Sequence, residues 1–224
     1  MPVNCLTEVD DLTRPDHYYL AREDACYYLG EYTARKGFAF SATNDLILNL
    51  KKSVDRRGRP EWRYKERAIQ DAGRMFRRSI KEEWLESTAT LVPVPPSKSK
   101  NDPLYDDRML QVLREMTRGL NADVRELVLQ NVSTDAAHDT DERPTPDDLI
   151  EIYEINEACT NPAPRFLVVV DDVLTTGAHF KAMQHVLAER FPGVPLVGFF
   201  VARRVPEAED LEAIFGFSND PDGP

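Results

Sequence analysis

The chain has 224 residues, 42% hydrophobic and 30% charged, as expected for a globular protein with one elaborated domain or two small ones. No stretch approaches the roughly 20 apolar residues of a membrane span, and the acidic N-terminus lacks the features of a secretory signal. The net charge of −11 argues against a general affinity for nucleic acid, because phosphate backbones are held by clustered Lys and Arg. Three scattered cysteines without metal-ligand spacing (Cys5, Cys26 and Cys159) indicate free thiols. Together these features predict a soluble cytoplasmic protein.

The first 87 residues are predicted to form a helical N-terminal region. Apolar residues at helical spacing predict helices over residues 17–35, 45–53 and 61–86, the last of them long and amphipathic. A basic stretch at residues 56–78 is interpreted as a solvated helix surface. We expect this region to act as a hood over a ligand site or as a partner-binding surface.

Strands and helices alternate in the predicted core, residues 88–205. Short apolar runs predict strands, and periodic stretches predict helices between them, at 90–94 (strand), 108–119 (helix), 127–132 (strand), 149–156 (helix), 166–170 (strand), 175–191 (helix) and 196–202 (strand). This alternation predicts an α/β fold with a mainly parallel sheet flanked by helices. The last segment, residues 206–224, is predicted to be a short helix over 206–215 and a loose acidic tail. Ligands of such sheets lie at the carboxyl ends of the strands, which draws attention to the residues after Val94 and Val170.

Two carboxylates and a Thr-Thr-Gly turn follow the strand that ends at Val170. Asp171 and Asp172 stand where they can accept hydrogen bonds from two adjacent hydroxyls or attract a divalent cation. The turn opens a helix, whose free N–H groups favour a phosphate, and Gly177 allows the backbone to approach it closely. The spacing suits a ligand with a diol and a phosphate one carbon beyond it, such as ribose 5-phosphate. The alternative is an ordinary capped helix after an acidic strand end.

The stretch from Val168 to Ala178 resembles, position by position, the PRPP-binding signature of the type I phosphoribosyltransferases. The resemblance implies that Asp171 and Asp172 are catalytic, hold the ribose hydroxyls and bind Mg²⁺ through those hydroxyls or water. It further implies that the phosphoribosyl group is bound by Val173, Leu174, Thr175, Thr176, Gly177 and Ala178. His179 departs from the signature, which usually has a small residue, Ser or Thr there.

A second stretch, Leu91 to Lys98, resembles the pyrophosphate-loop region of the competence-protein-F-like branch of this family. It implies that Lys98, with Lys100 as a second candidate, holds the pyrophosphate, that Ser97 is a further donor, and that Arg108 corresponds to a loop arginine with a catalytic role. Considered without the resemblance, the same stretch is a proline-rich turn with solvated lysines. Arg108 can equally form a salt bridge with one of the two aspartates that precede it.

The resemblance implies a transfer of phosphoribosyl from PRPP to a nucleobase-like acceptor, with Mg²⁺ as cofactor and release of pyrophosphate. A hood formed by the N-terminal helices or by residues 203–215 would select the acceptor. In this family a flexible catalytic loop with a basic residue occupies the place of residues 131–143, which here hold four acidic residues and only His138 and Arg143 as basic candidates. That departure and His179 favour a second hypothesis, a non-catalytic module that senses PRPP or a nucleotide. A third hypothesis is an effector subunit of a larger complex. A homodimer, or a protein complex through the N-terminal helices, is also expected.

Overall fold

The computed structural model describes residues 5–134 and 144–206. These residues form strands β1 (Thr7–Glu8), β2 (Cys26–Thr33), β3 (Ala89–Pro93), β4 (Asp123–Val124), β5 (Val128–Gln130), β6 (Tyr153–Ile155), β7 (Phe166–Leu174) and β8 (Leu196–Val205). The helices are α1 (Ala42–Leu50), α2 (Trp62–Ser79), α3 (Glu82–Ser87), α4 (Arg108–Met116), α5 (Pro146–Ile152) and α6 (Ala178–Arg190), with short 3-10 turns at Arg14–His17, Val54–Arg56 and Glu157–Cys159.

Six strands form one sheet in the order β1-β2-β8-β7-β3-β4, and β5 pairs with β6 in a separate antiparallel ribbon. Within the six-stranded sheet all neighbours are parallel except β1 and β2. The centre of the sheet is β7, which carries the buried run Val168–Val170. The expectation of an α/β fold with a mainly parallel sheet flanked by helices is confirmed, and the arrangement is compatible with a Rossmann-like fold.

Each face of the sheet is covered by its own hydrophobic cluster. Val168 and Val170 pack with apolar residues of α1, α2, α3 and α4 on one face. Val169 packs on the other face with α5, α6 and the β5–β6 ribbon. Burial on both faces explains why β7 is a continuous apolar run without alternation.

The helix predicted over residues 17–35 is wrong, because this segment ends a 3-10 turn at His17 and then forms β2. β2 pairs in parallel with β8, from Cys26 opposite Gly198 to Thr33 opposite Val205. Its apolar side chains pack on both faces of the sheet and therefore show no alternation that would distinguish a strand from a helix. The N-terminal region is consequently not a helical extension, since it contributes two strands to the main sheet.

The other predicted elements are confirmed with different ends. The long helix over residues 61–86 is divided at Ile80, whose extended backbone separates α2 from α3. Thr145 caps α5 through a reciprocal capping box with Asp148, but the helix ends at Ile152, where β6 begins. The predicted strand at 127–132 belongs to the small ribbon and not to the main sheet. The helix predicted over residues 206–215 lies outside the described residues, apart from its first residue.

None of the helices among the described residues has the length and hydropathy needed to cross a lipid bilayer.

Candidate functional site

The chain leaves β3 and β7 in opposite directions, and this opens a crevice between their carboxyl ends. β3 continues through α4 to β4 on one side, whereas β7 continues through α6 to β8 on the other. The two helices lie on opposite faces of the sheet. In open α/β sheets this topological switch point is where ligands bind.

A small cavity of about 40 Å³ lies in this crevice, and residues from separate stretches of sequence line it. Lys98 comes from the loop after β3, Arg108 from the first turn of α4, and Asp171 from β7. Lys100 also lines the cavity, but its Nζ lies 2.9 Å from Oε2 of Glu126 in an ion pair. The structure thus brings together Lys98, Arg108 and Asp171, three residues singled out in the sequence.

Asp172 is buried and forms ion pairs with two positively charged side chains. Its Oδ2 accepts hydrogen bonds from Nε and Nη2 of Arg108, at 2.9 and 2.6 Å, and its Oδ1 lies 3.2 Å from Nζ of Lys51. Burial alone would raise the pKa of Asp172, but the charges of Lys51 and Arg108 lower it well below its usual value. Because both carboxylate oxygens are engaged, Asp172 anchors Arg108 to β7.

Asp171 differs from Asp172 in both contacts and charge. Its Oδ1 accepts a hydrogen bond of 2.7 Å from the backbone N–H of Asp172, and its side chain borders the cavity. Burial, and then the negative charge of Asp172, raise the pKa of Asp171 to about 7. Of the two neighbouring aspartates, Asp171 is therefore the one able to meet a ligand and to change its protonation near neutral pH.

The Thr-Thr-Gly loop lies beyond the crevice under a covering segment, defined as residues 17–20. The carbonyl of Thr175 accepts a hydrogen bond from Nδ1 of His17, and the carbonyl of Thr176 accepts one from the backbone N–H of Tyr19 at 3.0 Å. Gly177 has a φ of +91°, and a Cβ there would stand 3.0 Å from a methyl group of Leu20. Gly177 thus has the left-handed backbone conformation that favours glycine, and the covering segment lies directly over the loop.

The remaining predicted site residues have structural contacts. The side chains of Val173 and Leu174 are buried in opposite hydrophobic clusters, so only their backbone can face a ligand. The carbonyl of Ser97 accepts a hydrogen bond of 2.7 Å from the side-chain amide of Gln130, which ties the loop after β3 to the β5–β6 ribbon. Ala178 begins α6 and is buried.

A hydrogen-bonded pair that the sequence did not predict, the buried Tyr153 and the half-buried His179, lies beside Asp171 and Asp172. The hydroxyl of Tyr153 and Nδ1 of His179 are 2.8 Å apart and share a hydrogen bond. Burial lowers the pKa of His179 to about 4 and, with the charge of Asp171, raises that of Tyr153 well above its usual value. Both side chains are therefore uncharged at neutral pH.

Lys65 was also missed, because it falls in the basic stretch interpreted as a solvated surface. It stands three, four and seven residues before Ala68, Ile69 and Ala72, which places it on the buried stripe of α2. Position on the helix, more than residue type, is the signal that identifies it.

Among the described residues, no group of three or more His, Cys, Asp or Glu side chains is placed to hold a metal ion. Mg²⁺ is commonly bound by one or two carboxylates together with the phosphate oxygens of a substrate. The second carboxylate oxygen of Asp171, which does not accept from the backbone of Asp172, could bind Mg²⁺ in this way. Both oxygens of Asp172 are already paired, with Arg108 and Lys51.

No family model matches the sequence, and the search of curated proteins found no significant match.

Proposed function

We propose that the crevice between β3 and β7 binds PRPP with Mg²⁺, and that the protein transfers the phosphoribosyl group to a nucleobase-like acceptor. One observation supports this most directly: Lys98, Arg108 and Asp171, from three segments of the chain, line a single cavity at the switch point of the sheet. Cationic groups beside a carboxylate suit a ligand that carries a diphosphate next to ribose hydroxyls.

In the proposed reaction the bond between ribose C1 and the pyrophosphate oxygen breaks, and its electron pair leaves with pyrophosphate. A ring nitrogen of the acceptor forms the new bond to C1 and loses its proton to solvent. Lys98 stabilises the negative charge that grows on the leaving group, an electrostatic contribution. Asp171, when ionised, accepts hydrogen bonds from the ribose hydroxyls and lies near the positive charge that grows on the sugar. Bound Mg²⁺, held by Asp171 together with the substrate, would supply further positive charge beside the diphosphate.

Calorimetric titration of the protein with PRPP and Mg²⁺ tests the binding step. We expect saturable binding that Asp171→Asn weakens by about tenfold or more, the worth of one hydrogen bond to a charged group. The matched control is Asp71→Asn, the same change on the outer surface of α2, where Asp71 pairs with Arg67 and Arg74. Equal affinities of the wild type, Asp171→Asn and Asp71→Asn would show that PRPP does not bind in the crevice.

The second candidate function, a PRPP or nucleotide sensor without turnover, is favoured by the covering segment. A 5-phosphate reaches the Thr-Thr-Gly loop only if residues 17–20 move, so binding would be converted into a displacement of the N-terminal segment. Measuring pyrophosphate release across a panel of nucleobases separates the two functions. Release with any acceptor supports the transferase, and binding without release by any of them supports the sensor.

A further inference from the structure

Lys65 is a buried lysine that is linked to Arg108 of the candidate site through Asp106. Its side chain is 1% exposed, and its Nζ donates to the carbonyls of Leu50 and Lys52, at 2.8 and 2.7 Å, and to Oδ2 of Asp106 at 2.7 Å. Three acceptors use all three hydrogens of the ammonium group. Lys65 thus ties the end of α1 to the loop that precedes α4.

Asp106 passes this constraint to Arg108. The oxygen that accepts from Lys65 also accepts from Nη1 of Arg108 at 3.0 Å. The other carboxylate oxygen, Oδ1, is buried without a hydrogen-bond partner among the described residues, and Asp106 lines the cavity. A buried acceptor without a partner is costly unless water or a ligand satisfies it.

The guanidinium of Arg108 is held on two sides, by Asp106 through Nη1 and by Asp172 through Nε and Nη2. An arginine has five N–H donors, and these contacts use three of them. One hydrogen on each terminal nitrogen therefore remains, and two donors on one planar guanidinium suit a phosphate or carboxylate.

We propose that Lys65 is a positioning residue for this site: by holding Asp106, it fixes the plane of the Arg108 guanidinium so that its two remaining donors face an anionic ligand in the crevice. The ligand in this statement rests on the proposed function. The orientation of Arg108 does not, so the two can be tested separately.

The test variant removes the two charges of the Lys65–Asp106 pair together, Lys65→Met with Asp106→Asn, so that neither buried charge is kept without the other. The control is Lys52→Met, a lysine whose Nζ bonds Asn49 and the carbonyl of Glu61 but not Asp106. Thermal unfolding of each protein first establishes that it is folded.

Nuclear magnetic resonance of the Arg108 side chain, recorded without any ligand, measures how firmly its guanidinium is held in place. In the wild type and the control we expect slow rotation of the guanidinium and distinct signals for its terminal hydrogens. In the double variant we expect those signals to merge. Unchanged signals in a folded double variant would overturn the proposal.

Calorimetric titration with PRPP and Mg²⁺ measures how the substitutions change the affinity of the site. We expect the double variant to bind about tenfold more weakly than the wild type, since a hydrogen bond to a charged group is lost or misdirected, and the control to bind normally. Equal affinity would also overturn the proposal. Absence of binding to the wild type would refute the proposed function instead, and the Arg108 signals would then decide the role of Lys65.

Discussion

The crevice and the Thr-Thr-Gly loop lie at the end of the same strand, β7, but they are prepared for a ligand in different ways. Around the crevice, charged side chains are held by ion pairs and border a cavity. The loop has the backbone shape for a phosphate but is covered by residues 17–20. The charged side chains of the crevice are therefore already in place for a ligand, whereas a phosphate reaches the loop only after the covering segment moves.

The largest expected effect is a difference in stability between substitutions of the two neighbouring aspartates, Asp171 and Asp172. Asp172→Asn removes the buried carboxylate that pairs with both Lys51 and Arg108 and leaves Arg108 with Asp106 alone, and we expect it to lower the free energy of unfolding by about 3 kcal/mol. Asp171→Asn keeps the carbonyl oxygen that accepts from the backbone and removes a charge that burial disfavours, so it should not lower the free energy of unfolding at pH 7. Urea denaturation of both variants measures the difference. Equal losses would mean that the aspartates do not have separate roles.

Next in size is the effect of adding a methyl group at Gly177. Gly177→Ala forces a left-handed backbone conformation on a side chain that also meets Leu20, and we expect a loss of about 2 kcal/mol. Gly58→Ala is the matched control, because Gly58 has a φ of +85° and open space around it. We expect about 1 kcal/mol there. Thermal or urea unfolding of the two variants gives the comparison, and a loss at Gly58 as large as at Gly177 would show that the loop is not closely covered.

The stability of the protein should depend on pH in opposite ways through Asp171 and Asp172. Because its pKa is raised to about 7, the folded state holds this proton more tightly than the unfolded chain does. The free energy of unfolding should therefore rise as pH falls from about 7.5 towards 5, by about 1 to 2 kcal/mol for this group. The contribution of Asp172 has the opposite sign and is lost only at lower pH, since its pKa is lowered.

Urea denaturation between pH 5 and pH 8, for the wild type and Asp171→Asn, measures this dependence. We expect the variant to lack the rise, with Asp71→Asn behaving like the wild type. A rise of equal size in the Asp171→Asn variant would assign it to another group.

The smallest expected effect concerns the covering segment. Leu20→Ala removes the side chain that stands over Gly177, so less of the binding free energy is used to displace residues 17–20. We expect PRPP to bind about threefold more tightly, as measured by calorimetry in the presence of Mg²⁺. Weaker binding in a folded variant would mean that Leu20 contributes to the site and does not close it.

The central part of the fold was predictable from the sequence because its strands are covered on both faces. β3, β7 and β8 are short apolar runs between polar turns, and the Thr145-Pro146 cap marks the start of α5. β2 was not predictable in the same way. Its apolar side chains pack on both faces, and the aromatic run that results has no periodicity of its own.

The site was predictable only as far as local sequence determines it. The residues after β7 were identified because acids, threonines and glycine follow one another along the chain. Partners that approach from distant segments leave no such pattern: Lys51 reaches Asp172 and Lys65 reaches Asp106 through tertiary packing. Leu20, which covers Gly177, precedes it by 157 positions. The different charge states of Asp171 and Asp172 follow from those partners and not from their positions in the motif.

Backbone hydrogen exchange with and without PRPP and Mg²⁺ tests the central claim most directly, because it locates the ligand on the chain. We predict slower exchange at residues 95–108 and 171–178, which form the crevice and the loop, together with faster exchange in the covering segment at residues 17–20. Saturable binding that leaves the exchange of residues 95–108 and 171–178 unchanged would contradict the account.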